Sequence, residues 1–336
     1  MPAPKTEITE VVTGLAMFGH PDLEGALAAP PAAFEGVEVR TWETLREWHD
    51  EGRHRAEFAA AWANGAAFLG STQGLRGRPP LVVEWKGGHR APGDEVVPAD
   101  LRVDHVYLIS CKYLSRILIN ASPAHLFDRG LSGGHGVKGG DWYEEVAPGA
   151  YQDLYEAVRL ELPGDLALPP FAADLTPAHR SRLKEALAAG QWGDATGAAY
   201  RAFAAEVARA SAQRWKQSLG SIRQREAMVW RLLRVGAAPY FVLGSSGDRS
   251  LRLRIATPWD WRQAFELRGF EVWGDDAGQP IVRWRAEVRE RSAGEEREVV
   301  GHVEVRWSHG RFAQPPEAKV YLDTPHHRVP GYFPLV

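Results

Sequence analysis

Apolar positions recur at helical spacing from Thr41 onward. Thr41 is the candidate N-cap, with Glu43 behind it. After a break near Gly52, the pattern continues from Ala56 through Leu69, with Phe58, Trp62 and Leu69 on one face, and Gly70 then punctuates the chain. Glycine and proline between 74 and 80 then interrupt the pattern. Short β-rich runs follow at Leu81–Lys86, at 96–103 and at Val106–Tyr113, and these read as strands. Ser115 opens a further expected helix carrying Ile117, Leu118, Leu126 and Phe127. Residues 141–160 read as helix broken at Pro148, 163–177 as a linker around Pro169-Pro170, and 176–236 as strongly helical. Beyond Pro239, the segments 240–243, 251–255, 281–288 and 299–307 alternate apolar with charged residues, which predicts a sheet with one wet face. Gly310 and the turns around Gly274 and Gly278 suit hairpins. The stretch 1–36, rich in small residues and proline, reads as a loose lead-in or peripheral layer.

The 336 residues, 44% of them hydrophobic, suffice for one large or two ordinary domains. A single cysteine, Cys111, excludes an internal disulfide framework and a cysteine-rich zinc site. No apolar run approaches the roughly 20 residues that span a bilayer, and the N-terminus lacks the charged start and apolar core of a signal peptide. A cytoplasmic protein with no membrane partner is expected. The net charge of −3 gives no global attraction to nucleic acid. Residues 176–236, however, hold 11 Arg and Lys against four acids, a balance of +7 that leaves about −10 for the remainder. Phosphate contacts are therefore expected there, from Arg180, Arg182, Arg214, Lys216, Arg223 and Arg225.

The chain has 33 arginines and only seven lysines, so a lysine closing the apolar run Val106-Tyr-Leu-Ile-Ser-Cys-Lys112 stands out. Asp100 precedes it by a short turn at 102–105, which places an acid and a lysine on neighbouring strands. Together with a divalent metal, such a pair can activate water against a phosphodiester. A preceding helix with Glu57, the segment Pro98-Ala-Asp100, and Ser110-Cys-Lys112 on the next strand resemble the core of the PD-(D/E)xK nuclease superfamily across residues 41–131. The departure is Ser110, where that family places a carboxylate. Glu84, within a second literal E-x-K at Glu84-Trp-Lys86, or Glu57 could take its place, and Asp104 is a further candidate, although a turn aspartate more often serves its own backbone.

The resemblance implies Mg²⁺ (or Mn²⁺) bound by Asp100 with Glu57 or Glu84, and Lys112 positioning water. It implies a DNA endonuclease, in restriction or anti-phage defence, working as a homodimer or beside a defence-complex partner. Ser110 keeps open the alternative of a catalytically degenerate nucleic-acid-binding or assembly subunit. The expected fold is α+β: an α/β nuclease-like core with a mixed sheet flanked by helices (1–162), a basic helical segment (163–236) and an antiparallel β-rich region (237–336). Glu57, Asp100 and Lys112 each also have a plain structural role open to them, as a solvated helix acid, a turn-starting aspartate and a snorkelling lysine.

Four further features carry less. The glycine-rich stretch 132–140 lacks the Gly-Lys-Ser/Thr ending of a P-loop and reads as a surface loop. His302 and His309 near Glu304, and His326-His327 after Asp323, match no metal-binding spacing. Trp259, Trp261, Trp273, Trp284 and Trp307 are expected in the core, but any that is exposed beside a cation can stack on bases. Cys111 alternates away from Ser110 and Lys112 and belongs in the core.

Overall fold

The structure is a computed structural model and describes residues 4–87, 99–113, 117–128, 140–188, 192–246, 249–275 and 278–336. Its strands are β1 (Phe34–Glu35), β2 (Val83–Trp85), β3 (Leu101–Val103), β4 (Tyr107–Tyr113), β5 (Ile117–Ala121), β6 (Tyr240–Ser246), β7 (Arg249–Ile255), β8 (Phe265–Asp275), β9 (Ile281–Glu290), β10 (Glu296–Arg306), β11 (Glu317–Leu322) and β12 (Tyr332–Pro334). They form two sheets, in the orders β1-β2-β3-β4-β6-β7-β12 and β5-β11-β10-β9-β8. The first sheet is mixed and the second antiparallel, so the α+β class holds. Residues 96–98, Ser115 and 132–139 lie outside the described residues, and with them the start of the second expected strand, the expected helix start and most of the glycine-rich stretch.

Two compact units interleave along the chain. One comprises Met1–Arg116, Arg234–Ala264 and Pro325–Val336, and the other Ile117–Leu233 and Phe265–Thr324. Composition divides the chain at 162/163 and 236/237 instead. The difference arises because β6 pairs in parallel with β4, joining residues from beyond Pro239 to the first unit, while β5 pairs with β11 of the second.

In the first unit, residues 4–16 are helical rather than a loose lead-in, with a π-helical turn at Ile8–Val12. The cause is legible: Ile8, Val11, Val12 and Leu15 repeat at helical spacing, and all four are fully buried. This helix lies against Arg55–Gly70 at Gly65, where a Cβ would fall 2.1 Å from the Thr13 carbonyl oxygen, so any larger residue would push the two backbones apart. The helix before it is Val39–Asp50. Its N-cap position is Glu38, without a side-chain cap, so Thr41 lies inside the helix. Val83, Leu101, Val103, Ile109, Cys111, Phe241 and Leu243 of the sheet join Phe58 and Phe68 in one core. Asn64 ties the helix to the sheet: its amide donates to the Gly244 carbonyl (3.1 Å) and its oxygen accepts from Arg252 Nε (3.0 Å). Both ends of a buried amide are thereby satisfied.

In the second unit, Ile117–Ala121 is a strand followed by a short helix, Pro123–Phe127, where one helix from Ser115 is expected. An apolar run of this length fits either state, and pairing with β11 decides it. Strands β9 and β10 alternate as expected, with Val282, Trp284, Ala286 and Val288 buried beside Val299, Val303 and Val305. The long helix Asp194–Ser218 buries Phe203, Val207, Ala208, Ala212 and Trp215. It approaches β8 closely at Gly274, where a Cβ would lie 2.7 Å from the Ala208 carbonyl carbon.

Asp141 caps the helix Trp142–Val146, accepting from Tyr143 N (3.1 Å) and from the Tyr151 hydroxyl (3.4 Å). Burial outweighs these bonds and pushes its carboxyl up to about 6 from an ordinary 3.8. A folded-state pKa above the unfolded one means that the fold holds this proton more tightly. Asp141 therefore favours folding most below pH 4, and about 3 kcal/mol is lost as pH rises from 4 to 6. Asp141→Asn retains an acceptor for Tyr143 N. It is expected to raise stability at pH 7 by about 1–3 kcal/mol and to change little at pH 4, as read from urea midpoints at the two pH values. Among the described residues, no helix is long and apolar enough to cross a membrane.

Candidate functional site

The β3–β4 hairpin of the first unit holds the expected acid and lysine. Its turn is Asp104-His105, two non-glycine residues at positive φ (50° and 58°), closed by a bond from Val106 N to the Val103 carbonyl (3.0 Å). Such a two-residue turn favours Asn-Gly, so the local chain is strained and needs support from outside the turn. Asp104 supplies it: its carboxylate accepts from Leu81 N (2.7 Å) and Val82 N (3.1 Å), tying the turn to the segment before β2. Asp104 is thus a structural residue.

Asp100 stands just before β3, and its own backbone bridges both neighbours. Its N–H donates to Ile109 O (2.8 Å) and its carbonyl accepts from Lys86 N (2.9 Å). Its buried carboxylate turns onto β4, accepting from Cys111 N (2.7 Å) and from the fully buried Ser110 hydroxyl (3.3 Å). The serine in the acid's place thus acts as a donor to Asp100 rather than as a metal ligand. Lys112, half-buried, follows on β4. Cys111 is buried, and desolvation followed by the negative charges of Asp100 and Glu10 pushes its thiol well above its ordinary value.

The two glutamates proposed for the vacancy are engaged elsewhere. Glu84 shares the Ser110 face of the sheet but sits directly opposite Arg102 and forms a two-pronged ion pair with it, with His105 Nδ1 at 3.1 Å. The hydrogen bond from Arg102 holds its carboxyl below the usual range. Glu57 belongs to the helix that covers the opposite, core-lined face, and pairs with Lys5 Nζ at 2.7 Å. Mg²⁺ or Mn²⁺ asks for carboxylates converging on one point. Among the described residues, no three His, Cys, Asp or Glu side chains gather in that way. The C-terminal histidines do no better: His302 Nδ1 meets Asp323 (2.9 Å) and its ring stacks on Tyr321, while His309 lies 3.5 Å from Glu317.

Glu10 is the acid that the sequence reading missed. It is buried on the N-terminal helix and accepts from Trp85 Nε1 at 2.7 Å. The apolar repeat around it was the available signal.

In the second unit, the six expected phosphate contacts separate into three kinds. Arg214 is spent on Asp128 and Glu145, and Arg180 lies 3.9 Å from both Asp141 and Glu144 while donating to Phe312 O. Arg182 donates to Leu166 O (2.7 Å) and Arg225 to Leu219 O (3.2 Å), bonds to neutral carbonyls, and among the described residues no acid forms an ion pair with either. Lys216 and Arg223 are exposed on successive helices, Asp194–Ser218 and Ile222–Leu232.

Lys216 also belongs to a groove. Two neighbouring depressions of about 570 and 660 Å³ run between these helices and β8, and both are lined by Lys216 and Trp273. Trp273 is 40% exposed and Trp259 72% exposed, against the expected core role, whereas Trp142, Trp215, Trp261 and Trp284 are fully buried; of the two exposed indoles Trp273 is the one that lines this groove. Arg209, Gln213, Arg225 and Phe270 complete the principal lining. The groove acids are already partnered, Asp275 by Arg283 and Glu271 by Arg285 (2.6 Å). Arg209 is likewise paired with Glu206 (2.6 Å), so Lys216 and Arg225 carry the groove's positive charge. The groove joins an exposed aromatic face to cations at its rim, the combination that holds an unstacked base and its phosphate. No protein-family model, no curated protein and no solved structure matches this chain.

Proposed function

We propose that this protein is a nucleic-acid-binding or assembly subunit built on a nuclease-like core, acting in the cytoplasm on single-stranded segments, DNA in the first instance. One observation carries the reading: Trp273 stands exposed in a groove beside Lys216 and Arg225. The indole offers a stacking face to any base, and the cations neutralise phosphates without regard to sequence. Duplex bases are stacked on each other and cannot reach that face, so single strands are preferred.

The competing reading is a Mg²⁺- or Mn²⁺-dependent endonuclease centred on Asp100 and Lys112. The placement of Asp100 and Lys112 on one hairpin favours it. Against it stands the engagement of every acid at the hairpin. Fluorescence anisotropy of the full chain against a labelled single-stranded oligonucleotide and its duplex tests the preferred reading. Tighter binding of the single strand, weakening as salt rises, is the expected result; equal or absent binding of both overturns it.

A further inference from the structure

The groove of the second unit is divided. Its smaller depression, of about 570 Å³, draws its walls from residues between 205 and 216 of the long helix and from 273–275 of β8. The larger, of about 660 Å³, draws them from residues between 216 and 225 and from 270–273. On both walls the change from one depression to the other falls at a single residue, Lys216 on the helix side and Trp273 on the strand. An ammonium and an indole thus form a partition with a compartment on either side. Each volume lies within the range typical of ligand pockets, roughly 300–1,000 Å³, so each compartment can take a guest of its own.

The compartments differ in charge. In the smaller, Arg209 is paired with Glu206 and Asp275 with Arg283. In the larger, Glu271 is held by Arg285, while Arg225 spends only its Nε, on Leu219 O, and meets no acid among the described residues. Lys216, exposed at the partition, likewise forms no ion pair among the described residues. The cations open to an anion therefore stand at two points, one on the partition and one at the far end of the larger compartment. A lone base fills one compartment and leaves the other to water. Two bases joined by a phosphate fill both, and a single-stranded step can open to admit an aromatic ring between them. We propose that the groove's unit ligand is a dinucleotide step, with one base on each side of Trp273, the linking phosphate at Lys216 and a terminal phosphate at Arg225. This rests on the single-strand reading above and deepens it.

The test is displacement of a labelled long strand from the full chain by unlabelled thymidine, by the dinucleotide TpT and by its methylphosphonate analogue, which lacks the linking charge. TpT is expected to compete at least about tenfold better than thymidine, through a second stacked base and its phosphate. The neutral analogue is expected to fall well below TpT on the wild type and to equal it on Lys216→Gln, since the lysine is what reads the linking charge. A phosphate added to one end of TpT, 5′ or 3′, is expected to tighten competition further, and Arg225→Gln to remove that gain. Lys216 is exposed, so its arm stands even where Arg225→Gln disturbs the turn at Leu219. Three results would each overturn the two-compartment proposal while leaving single-strand binding in place. They are a long strand that binds while TpT competes no better than thymidine, a neutral analogue as good as TpT on the wild type, and a terminal phosphate that gains nothing at either end. A long strand that does not bind overturns both readings.

Discussion

Trp273→Ala is expected to weaken single-stranded DNA binding by about 1–3 kcal/mol, roughly 5- to 150-fold, the usual worth of one base stacked on an aromatic face. The indole is substantially exposed, so its loss leaves the fold intact and thermal melting unchanged. Lys216→Ala acts differently, because a lysine on a phosphate contributes through counterion release. It is expected to lower the slope of log affinity against log salt by about 1 while affecting all sequences alike. Arg214→Ala serves as the contrast. Its guanidinium is already satisfied by Asp128 and Glu145, so its removal is expected to change stability rather than the salt slope. Anisotropy titrations of the three variants from 50 to 300 mM salt, on the order of the range over which phosphate contacts respond, read all of these outcomes.

Asp100→Ala is expected to destabilise the first unit by about 2–4 kcal/mol. The carboxylate satisfies the Cys111 amide and the Ser110 hydroxyl in a buried setting, and each buried donor left without an acceptor costs about 1–3 kcal/mol. The sign is what matters. A carboxylate held for metal chemistry among other acids is a strained arrangement, and removing it commonly leaves a protein as stable or more so. A carboxylate that serves the hairpin does the opposite. Asp100→Asn, which keeps an acceptor, is expected to recover part of the loss. Urea unfolding of the wild type and both variants at pH 7 measures this, and an alanine variant as stable as wild type contradicts the structural role.

Much of the architecture was legible where its signal is local. The alternation through β9 and β10 announced an antiparallel sheet with one wet face, and the hairpin from Leu101 to Tyr113 was readable because both strands lie within a few residues of their turn. Long-range pairing was not readable. Ile117–Ala121 became a strand only because β11, some 200 residues away, lies beside it. The same holds for β6, whose parallel pairing with β4 reassigns it to the first unit. The N-terminal helix was available in the spacing of Ile8, Val11, Val12 and Leu15 but was masked by the small residues and prolines that follow it.

The site divides along the same line. Asp100 and Ser110 meet across the hairpin and Lys112 follows on the strand of Ser110, whereas the fates of Glu57 and Glu84 depended on Lys5 and Arg102, which no motif names. The charge balance of 176–236 counted Arg180 and Arg214 as available, yet acids from Asp128 to Glu145 meet them in the fold. Net charge of a segment is a property of sequence, while free charge is a property of contacts. Trp273 was visible as one of several tryptophans; only its exposure beside Lys216 separates it from the rest.

The most direct test of a binding role is to measure binding and cleavage on the same samples. Full-length protein is incubated with a single-stranded oligonucleotide and with plasmid, in EDTA, in Mg²⁺ and in Mn²⁺, with anisotropy and gel analysis run in parallel. The expected result is single-strand binding that persists in EDTA, falls with salt, is lost in the Trp273→Ala, Lys216→Glu double variant, and produces no cleavage under any metal. Metal-dependent cleavage abolished by Asp100→Asn and by Lys112→Ala would contradict it and return the hairpin to the role of a catalytic centre.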